Sequence, residues 1–256
     1  MTRPTPQVLG NHTLRDEIRD YWSDRAATFD QDPGHRIAEG AEMAAWEALF
    51  HRHLGPADGR RLLDLASGTG EIARLCQRLG YGVTGLDWSE PMLERARTKL
   101  PDVTFVQADA ERTMLPDASV DVIVTRHLVW TLVDPVAAFA EWHRVLVPGG
   151  RILLVDGDFV SRSWLARAVS GLFPASVNRA RSRHQDILSQ VYFARGARAG
   201  AVARMVEEAG FADLRIDTRL GAIHRAQAPQ VGWRKSLRRR SEHRYAISAR
   251  KPEPDA

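Results

Sequence analysis

The spacing of apolar residues changes along the chain, and each spacing predicts a different element. In the stretches 12–29 and 37–54, apolar residues recur three or four positions apart, which predicts two amphipathic helices. From about residue 60, short apolar runs predict buried strands at 61–65, 81–87, 103–108, 120–125, 151–155, 214–220 and 243–251. The amphipathic stretches between them predict helices at 71–79, after Ser89, at 134–145 and at 199–209, and Pro148-Gly149-Gly150 predicts a turn. Strands that alternate with helices predict an α/β fold, a parallel sheet covered by helices on both faces.

This alternation is interrupted once, and the interruption divides the chain into four parts. Residues 1–56 predict an N-terminal arm followed by a helical cap. Residues 57–156 form the expected ligand-binding core. Residues 157–200 are rich in apolar residues without a strand pattern, which predicts a helical insertion over the carboxyl edge of the sheet. Residues 201–256 complete the predicted core sheet.

Composition narrows the class of protein. The chain has 256 residues, of which 44% are hydrophobic, enough for one α/β domain with its own core. Its net charge of +4 is too mild to imply nucleic-acid binding, and the basic run 234–240 predicts a solvated loop. The single cysteine, Cys76, excludes an internal disulfide and a cysteine-rich metal site, and we expect no metal. With neither an apolar signal core nor a run of ~20 apolar residues, we expect a cytoplasmic protein without a membrane span.

The turn after the first predicted strand carries the candidate chemistry. In Asp64-Leu-Ala-Ser-Gly68-Thr-Gly70, two glycines allow a sharp bend and let a ligand approach the backbone closely. The helix that follows begins with unpaired amides. Asp87 ends the next predicted strand, where a carboxylate can bind both ribose hydroxyls of an adenosine. The pattern therefore predicts an adenosine-containing ligand.

Two classes of cofactor fit the glycines and the acid equally well. Gly68-x-Gly70-x-x-Ala73 also satisfies the fingerprint of nicotinamide dinucleotide sites. Three features favour S-adenosylmethionine, which is cationic and has no phosphate. Asp64 would repel a pyrophosphate, and Asp109 follows the third strand, where an acid can accept from an adenine amino group. The Tyr-x-x-x-Lys pair of short-chain dehydrogenases is absent from the sequence.

Four stretches, in order, resemble the signature motifs of class I S-adenosylmethionine-dependent methyltransferases. They are Asp64-x-Ala66-x-Gly68-Thr69-Gly70, Leu86-Asp87-Trp88-Ser89, Gln107-Ala108-Asp109-Ala110 and Arg144-Val145-Leu146-Val147-Pro148-Gly149-Gly150. The chain looks most similar to the small-molecule methyltransferases of the ubiquinone/menaquinone-biosynthesis kind. The resemblance covers about residues 60–156, and more loosely 199–251. It implies a Rossmann-like seven-stranded mixed sheet with a reversed last strand, S-adenosyl-L-methionine as cofactor and S-adenosyl-L-homocysteine as product.

The same resemblance implies cofactor-binding roles by position. The methionine portion would lie along the turn, the ribose at the end of the second strand, the adenine beyond it, and the reacting methyl group after the fourth strand. The residues concerned are Asp64, Ala66, Gly68, Thr69 and Gly70 for the turn, Asp87 for the ribose, Trp88, Met92, Asp109 and Ala110 for the adenine, and Arg126 beside the methyl group.

Histidines and aromatic residues outside these motifs are candidates for the reaction itself. His127 follows the fourth strand and His35 follows the first helix, so either could be a general base, although each could equally be structural. Tyr21 and Arg25, one turn apart on the first helix, could cover the methionine end of the cofactor or only pack. Because an in-line methyl transfer gains most from alignment, no residue need be indispensable.

The expected acceptor is a small molecule, because the insertion 157–200 can form a pocket of its own and the motif of nucleic-acid amino methyltransferases is absent. The alternative is an RNA or protein methyltransferase that uses the basic segment 234–240. A non-catalytic protein that retains the cofactor fold is a further alternative. The sequence does not distinguish a monomer from a homodimer.

Overall fold

Seven strands form one sheet in the order β3-β2-β1-β4-β5-β7-β6. The computed structural model describes residues 13–32, 34–158, 179–230 and 243–254. The strands are β1 (Arg61–Leu65), β2 (Gly82–Asp87), β3 (Thr104–Gln107), β4 (Val120–Arg126), β5 (Leu146–Asp158), β6 (Ala212–Asp217) and β7 (His243–Arg250). The first five strands are parallel, and β7 is antiparallel to both of its neighbours. The predicted mixed sheet with a reversed last strand is confirmed.

The strand order reverses at β1, which lies between β2 and β4. The connections after β1 and β4 therefore leave in opposite directions and open a crevice at the carboxyl edge of the sheet. In open α/β sheets this crevice is the usual place for a ligand. The strand order therefore predicts a ligand site at the carboxyl ends of β1, β2 and β4.

Helices cover both faces of the sheet, as predicted. In the described chain they are α1 (Leu14–Arg25), α2 (Ala41–Leu54), α3 (Glu71–Arg78), α4 (Glu90–Lys99), α5 (Pro135–Val145), α6 (Arg179–Gln190), α7 (Ala199–Glu208) and α8 (Gly221–Gln227). One core places Leu63 and Ile123 of the central strands against α5 and α7. The other places Leu62 and Val124 against α2, α3 and α8. Because both faces are covered, consecutive apolar residues such as Leu62-Leu63 of β1 and Val122-Ile123-Val124 of β4 are all buried.

Three local predictions were wrong. The first helix ends at Arg25, and the residues Phe29–Gln31 form a separate 3-10 turn. Pro148-Gly149-Gly150 lies within the long strand β5 instead of forming a turn, and the pairing of β5 with β4 shifts register at this point. The sixth strand ends at Asp217, whose carboxylate accepts the Arg219 N–H, and the unpredicted helix α8 follows. A helix of seven residues is too short to show a clear helical periodicity.

The segment after β5 contains a helix, α6, whose Ile187 packs with Ile18 and Tyr21 of α1 in one apolar cluster that also includes Val191, directly after the helix. Residues 159–178 of the predicted insertion lie outside the described residues, and so does the whole basic run 234–240. Within the described part of the chain, no helix has both the length and the apolar character needed to cross a membrane.

Candidate active site

The turn after β1 bends back on itself and leaves its backbone open to a ligand. Ala66, Gly68 and Gly70 all have positive φ values of 56°, 53° and 85°. Gly70 is also tightly enclosed, because an added Cβ would lie 3.2 Å from the Leu100 side chain. The Ser67 N–H donates to the carbonyl of Leu86, which ties the turn to β2. The predicted glycine turn is therefore present, and it directly precedes α3.

Asp64 lies beneath this turn with its carboxyl group buried. Oδ2 has no hydrogen-bond partner. Burial raises the pKa of Asp64 to about 8, although the positive charge of Arg126 acts in the opposite direction. A buried, unpaired carboxyl oxygen is costly unless a donor reaches it. The site therefore fits a ligand that brings a cationic donor to this point, as the ammonium group of S-adenosylmethionine would.

Asp87 connects the end of β2 to the glycine turn. Oδ2 accepts the Gly68 N–H at 2.8 Å, and Oδ1 accepts the Ser89 N–H at 2.9 Å. Burial raises the pKa of Asp87 to about 6, against the opposing effect of these backbone hydrogen bonds. A carboxylate accepts about four hydrogen bonds, so both oxygens retain capacity for further donors. Asp87 can thus shape the turn and bind two hydroxyl groups together.

The residues predicted around the adenine follow β2 and β3 and lie beside Asp87. The Ala108 N–H donates to the Asp87 carbonyl at 3.1 Å and holds the two strand ends together. Met92 is buried on α4, and Trp88 is half-buried. The Asp109 carboxylate accepts the Glu111 N–H at 2.8 Å.

Ala110 is buried, and its carbonyl accepts the Trp142 Nε1–H at 2.8 Å. Arg15 of α1 reaches this same end of β3, where its Nε lies 3.5 Å from Asp109. The structure therefore brings all four predicted residues to one end of the crevice.

Tyr21 and Arg25 lie on α1, above the crevice. Tyr21 belongs to one buried apolar cluster with Ile187 of α6 and Val191, which directly follows that helix. Arg25 donates to the Tyr21 hydroxyl at 3.1 Å and forms an ion pair with Asp32. Both residues lie in the covering segment, defined here as residues 13–32 and 34–38, and both are engaged by other residues of the protein. Their contact with the cofactor stays a prediction.

The covering segment is joined to the glycine turn by polar contacts that sequence analysis did not find. The Thr69 hydroxyl donates to Asp30 at 2.5 Å. Lys99 Nζ lies 2.6 Å from Asp30 and 3.2 Å from Glu71, and Glu71 accepts the Ile37 N–H at 2.9 Å. No spacing in the sequence signals these pairs, because the partners lie far apart along the chain.

Four rings form a continuous series that includes residues of the covering segment and Trp130. The centroid of Trp22 lies 6.4 Å from Trp130 and 6.0 Å from Phe29. Phe29 stacks on His35 at 4.0 Å, and it lies 3.8 Å from the position that a Cβ on Gly68 would take. The series of rings thus runs beside the glycine turn, where a planar apolar molecule would find stacking surfaces.

Arg126 is the last residue of β4, and His127 directly follows it. Arg126 Nη2 donates to the His35 carbonyl at 2.5 Å, and its guanidinium carbon lies 5.5 Å from the Trp46 ring centroid. His127 has a φ of 63°, a left-handed conformation uncommon for histidine, and its N–H donates to the Val155 carbonyl. Both residues are half-buried. The fold therefore brings His35 and Arg126 together although 90 residues separate them in the sequence.

His35 is the better-defined of the two candidate bases. Its Nδ1 lies 2.9 Å from the Phe29 carbonyl, which can only accept a hydrogen bond. Nδ1 must therefore carry the proton, and in the neutral ring Nε2 is the basic atom. Burial lowers the pKa of His35, so the ring is neutral at pH 7. These properties suit a general base.

Comparison with known proteins agrees with this geometry. Residues 63–154 match the family model described as "Methyltransferase domain". The chain is 33% identical over 193 residues to a ubiquinone/menaquinone biosynthesis C-methyltransferase UbiE of Methylobacterium nodulans, covering 69% of this chain and 76% of the relative. The chain belongs to the class I S-adenosylmethionine-dependent methyltransferases. It is an enzyme of this family, and its cofactor is S-adenosylmethionine, as predicted.

Similarities to further methyltransferases extend over most of the chain. A demethylmenaquinone methyltransferase of Renibacterium salmoninarum is 28% identical over 226 residues, covering 82% of this chain and 92% of the relative. A methyltransferase structure from Mesorhizobium loti has a TM-score of 0.60 at 25% identity, covering 82% of this chain and all of that one. Phosphoethanolamine N-methyltransferase 2 of Haemonchus contortus shares the fold, with a TM-score of 0.69 at 18% identity over 98% of this chain and 62% of its own.

Proposed function

We propose that this methyltransferase transfers a methyl group to a ring carbon of a small aromatic acceptor of the quinol type. The observation that carries the proposal is the series of four rings, Trp130, Trp22, Phe29 and His35, beside the glycine turn. Such a surface suits a planar acceptor, which would stack against rings rather than rely on hydrogen bonds. A base at the same place, His35, suits an acceptor that must lose a proton.

In this proposal the cofactor lies along the crevice with its adenosine over the ends of β2 and β3. Asp87 binds the ribose hydroxyls, and Trp88, Met92, Asp109 and Ala110 surround the adenine. The glycine turn from Ala66 to Gly70 follows the methionine portion, and the Asp64 carboxylate binds its ammonium group. The buried, unpaired Oδ2 of Asp64 supports this orientation.

When bound, the cofactor supplies a methyl group on a sulfonium sulfur, which leaves as a neutral thioether. In the proposal, His35 Nε2 takes the hydroxyl proton of the acceptor, so the electron pair of the resulting phenolate reaches the ring carbon. That carbon forms the new bond to the methyl group as the bond to sulfur breaks. The ring carbon then loses its own proton to restore aromaticity, and His127 at the end of β4 is the candidate to receive it. The series of four rings keeps the acceptor aligned with the methyl group and excludes water.

The named relatives support the class of acceptor. The Methylobacterium nodulans relative is a C-methyltransferase of ubiquinone and menaquinone biosynthesis, and the Renibacterium salmoninarum relative is a demethylmenaquinone methyltransferase. Both names describe methylation within quinone synthesis. We therefore choose an unmethylated naphthoquinol as the first acceptor to test.

The experiment incubates the purified protein with S-adenosylmethionine carrying an isotopically labelled methyl group and 1,4-naphthoquinol under reducing, anaerobic conditions. We expect a labelled methyl group on a ring carbon, identified by mass spectrometry and NMR. His35→Gln should lower kcat by about 10²–10⁴-fold, the usual contribution of a general base. His51→Gln is the matched control, because His51 is exposed on the outer side of α2. Methylation only on oxygen, or only of added RNA or protein, would contradict the proposal.

A further inference from the structure

One acidic and one basic side chain near the glycine turn each have one buried atom without a hydrogen-bond partner. They are Oδ2 of Asp64 and Nη1 of Arg126. Asp64 is paired with Val124 in the β1–β4 register, and Arg126 is two residues further along β4. Residues two apart on a strand face the same side of the sheet, so both side chains project from one face at the carboxyl edge.

The Arg126 guanidinium is held in place by contacts on its other atoms. Nη2 donates to the His35 carbonyl at 2.5 Å, and the Trp46 ring lies against the guanidinium at 5.5 Å. The planar group therefore has a defined orientation before any ligand binds. A preorganised guanidinium loses little freedom when it forms another hydrogen bond, so its unpaired Nη1 is a ready donor.

Other acidic groups near Arg126 are already engaged elsewhere. Glu71 accepts the Ile37 N–H and forms ion pairs with Arg74 and Lys99. Glu42 accepts the Ala38 N–H at 3.1 Å and a hydrogen bond from the Gln227 amide at 2.7 Å. Neither carboxylate accepts a hydrogen bond from Nη1, which has no hydrogen-bond partner. A buried donor of this kind is costly unless an acceptor reaches it, so Nη1 can receive an acceptor group of a ligand.

We propose that Arg126 binds the carboxylate of the cofactor's methionine portion, opposite Asp64, which binds the ammonium group of the same α-amino acid. The α-amino acid end of S-adenosylmethionine is a zwitterion, and the two unpaired atoms present one acceptor and one cationic donor to it. This inference rests on the cofactor placement proposed above. It makes Arg126 a cofactor-binding residue that selects the intact amino acid end, rather than a residue that recognises the acceptor.

The test compares ligands that differ only at the amino acid end, by isothermal titration calorimetry on the full chain. S-adenosylmethionine and decarboxylated S-adenosylmethionine differ in the carboxylate alone, and 5′-methylthioadenosine lacks the whole amino acid end. Arg126→Met should weaken S-adenosylmethionine binding about 10- to 100-fold, the usual range for a charge-assisted hydrogen bond. It should change the affinity for the other two ligands by less than about twofold, so that the variant no longer prefers the intact cofactor.

Arg61→Met is the matched control, because Arg61 pairs with Asp121 at the opposite end of β1 and β4. Equal weakening of all three ligands by Arg126→Met would overturn the inference, since it would indicate a structural role. Unchanged S-adenosylmethionine affinity with a raised KM for the acceptor would also overturn it. Asp87→Ala tests the underlying placement separately, because it should weaken 5′-methylthioadenosine as much as the intact cofactor.

Discussion

The floor of the crevice and the segment that covers it are built by different kinds of contact. The floor consists of strand ends and the glycine turn, joined by backbone hydrogen bonds such as those from the Ser67 N–H to the Leu86 carbonyl and from the Ala108 N–H to the Asp87 carbonyl. The covering segment is joined to the floor largely by side chains, including the pairs Arg15–Glu111, Asp30–Lys99 and Ser23–Ser89.

This difference has a physical consequence. Backbone hydrogen bonds in a buried sheet are formed together with the whole core, so they open only when the fold opens. Ion pairs between partly exposed side chains are individually weak and are screened by salt. We therefore expect substitutions in the floor to change cofactor affinity strongly. Substitutions in the covering segment should change the rate of ligand dissociation only modestly.

The largest effect is expected from removing the carboxylate at the end of β2. Asp87→Ala should weaken S-adenosylhomocysteine binding more than 100-fold, because two charge-assisted hydrogen bonds to ribose, each about 1.5–3 kcal/mol, are lost together. The same change releases the Gly68 N–H from its partner. Calorimetric titration measures the affinity. Asp121→Ala, which removes an exposed pairing with Arg61, is the control and should bind normally. An Asp87→Ala variant with near-normal affinity would show that the ribose does not lie there.

The second-largest expected effect is the release of a proton from Asp64 when the cofactor binds. Asp64, with a pKa of about 8, is mostly protonated at pH 7 in the free protein. A cationic ligand favours the ionised form, so its binding lowers this pKa and releases about one proton per cofactor at pH 7. By the same linkage, the affinity should rise with pH up to about 8 and then level off.

Calorimetry in two buffers of different ionisation enthalpy measures this proton directly. Asp64→Asn should bind more weakly and release almost no proton. The other ionisable groups that interact with Asp64 are Arg126, Asp87 and Cys76, on β4, β2 and α3. Proton release that persists in Asp64→Asn would assign the titration to one of these groups instead.

A smaller effect is expected in the covering segment. Lys99→Met removes the ion pairs to Asp30 and Glu71, whose side chains hold that segment on the floor. Exposed or partly exposed pairs contribute about 0.2–1 kcal/mol, so S-adenosylhomocysteine should dissociate about two- to fivefold faster with little change in melting temperature. Stopped-flow fluorescence of the tryptophans in the crevice gives the rate. Arg97→Met, which removes a pair with Glu90 on the same helix, is the control. Equal acceleration by both variants would show that the cover is not held by Lys99.

The smallest effect concerns backbone strain in the floor. Ala66 has a φ of 56°, where a Cβ costs about 1 kcal/mol, so Ala66→Gly should raise the melting temperature by about 2 °C. Ala73→Gly, a buried helical position in α3, should have the opposite sign because it lowers helix propensity and packing. Differential scanning calorimetry compares the two. If Ala66→Gly instead lowers the melting temperature, the packing of the Ala66 Cβ stabilises the protein by more than its positive φ destabilises it.

Sequence patterns were most informative where the relevant contacts are local. The glycine turn, the Ser89 cap of α4 and the strand that ends in Asp87 each depend on residues within a few positions of one another. Their side-chain periodicity and turn chemistry follow directly from the order of residues. The helix α8 and the end of α1 were missed or misplaced because short elements are stabilised mainly by packing on distant residues, as Ile223 of α8 packs against the α2 side of the core.

By itself the sequence determined the class of fold, the cofactor and the residues at the ends of β1, β2 and β3, because motif spacing along alternating strands and helices brings those ends to one edge. Only the tertiary structure decided which side chains meet across that edge. It placed the His35 carbonyl on Arg126, Asp30 on Thr69, and four rings from two separate regions in one series. These contacts join residues far apart in the chain, and their geometry depends on how whole elements pack, which no local pattern encodes.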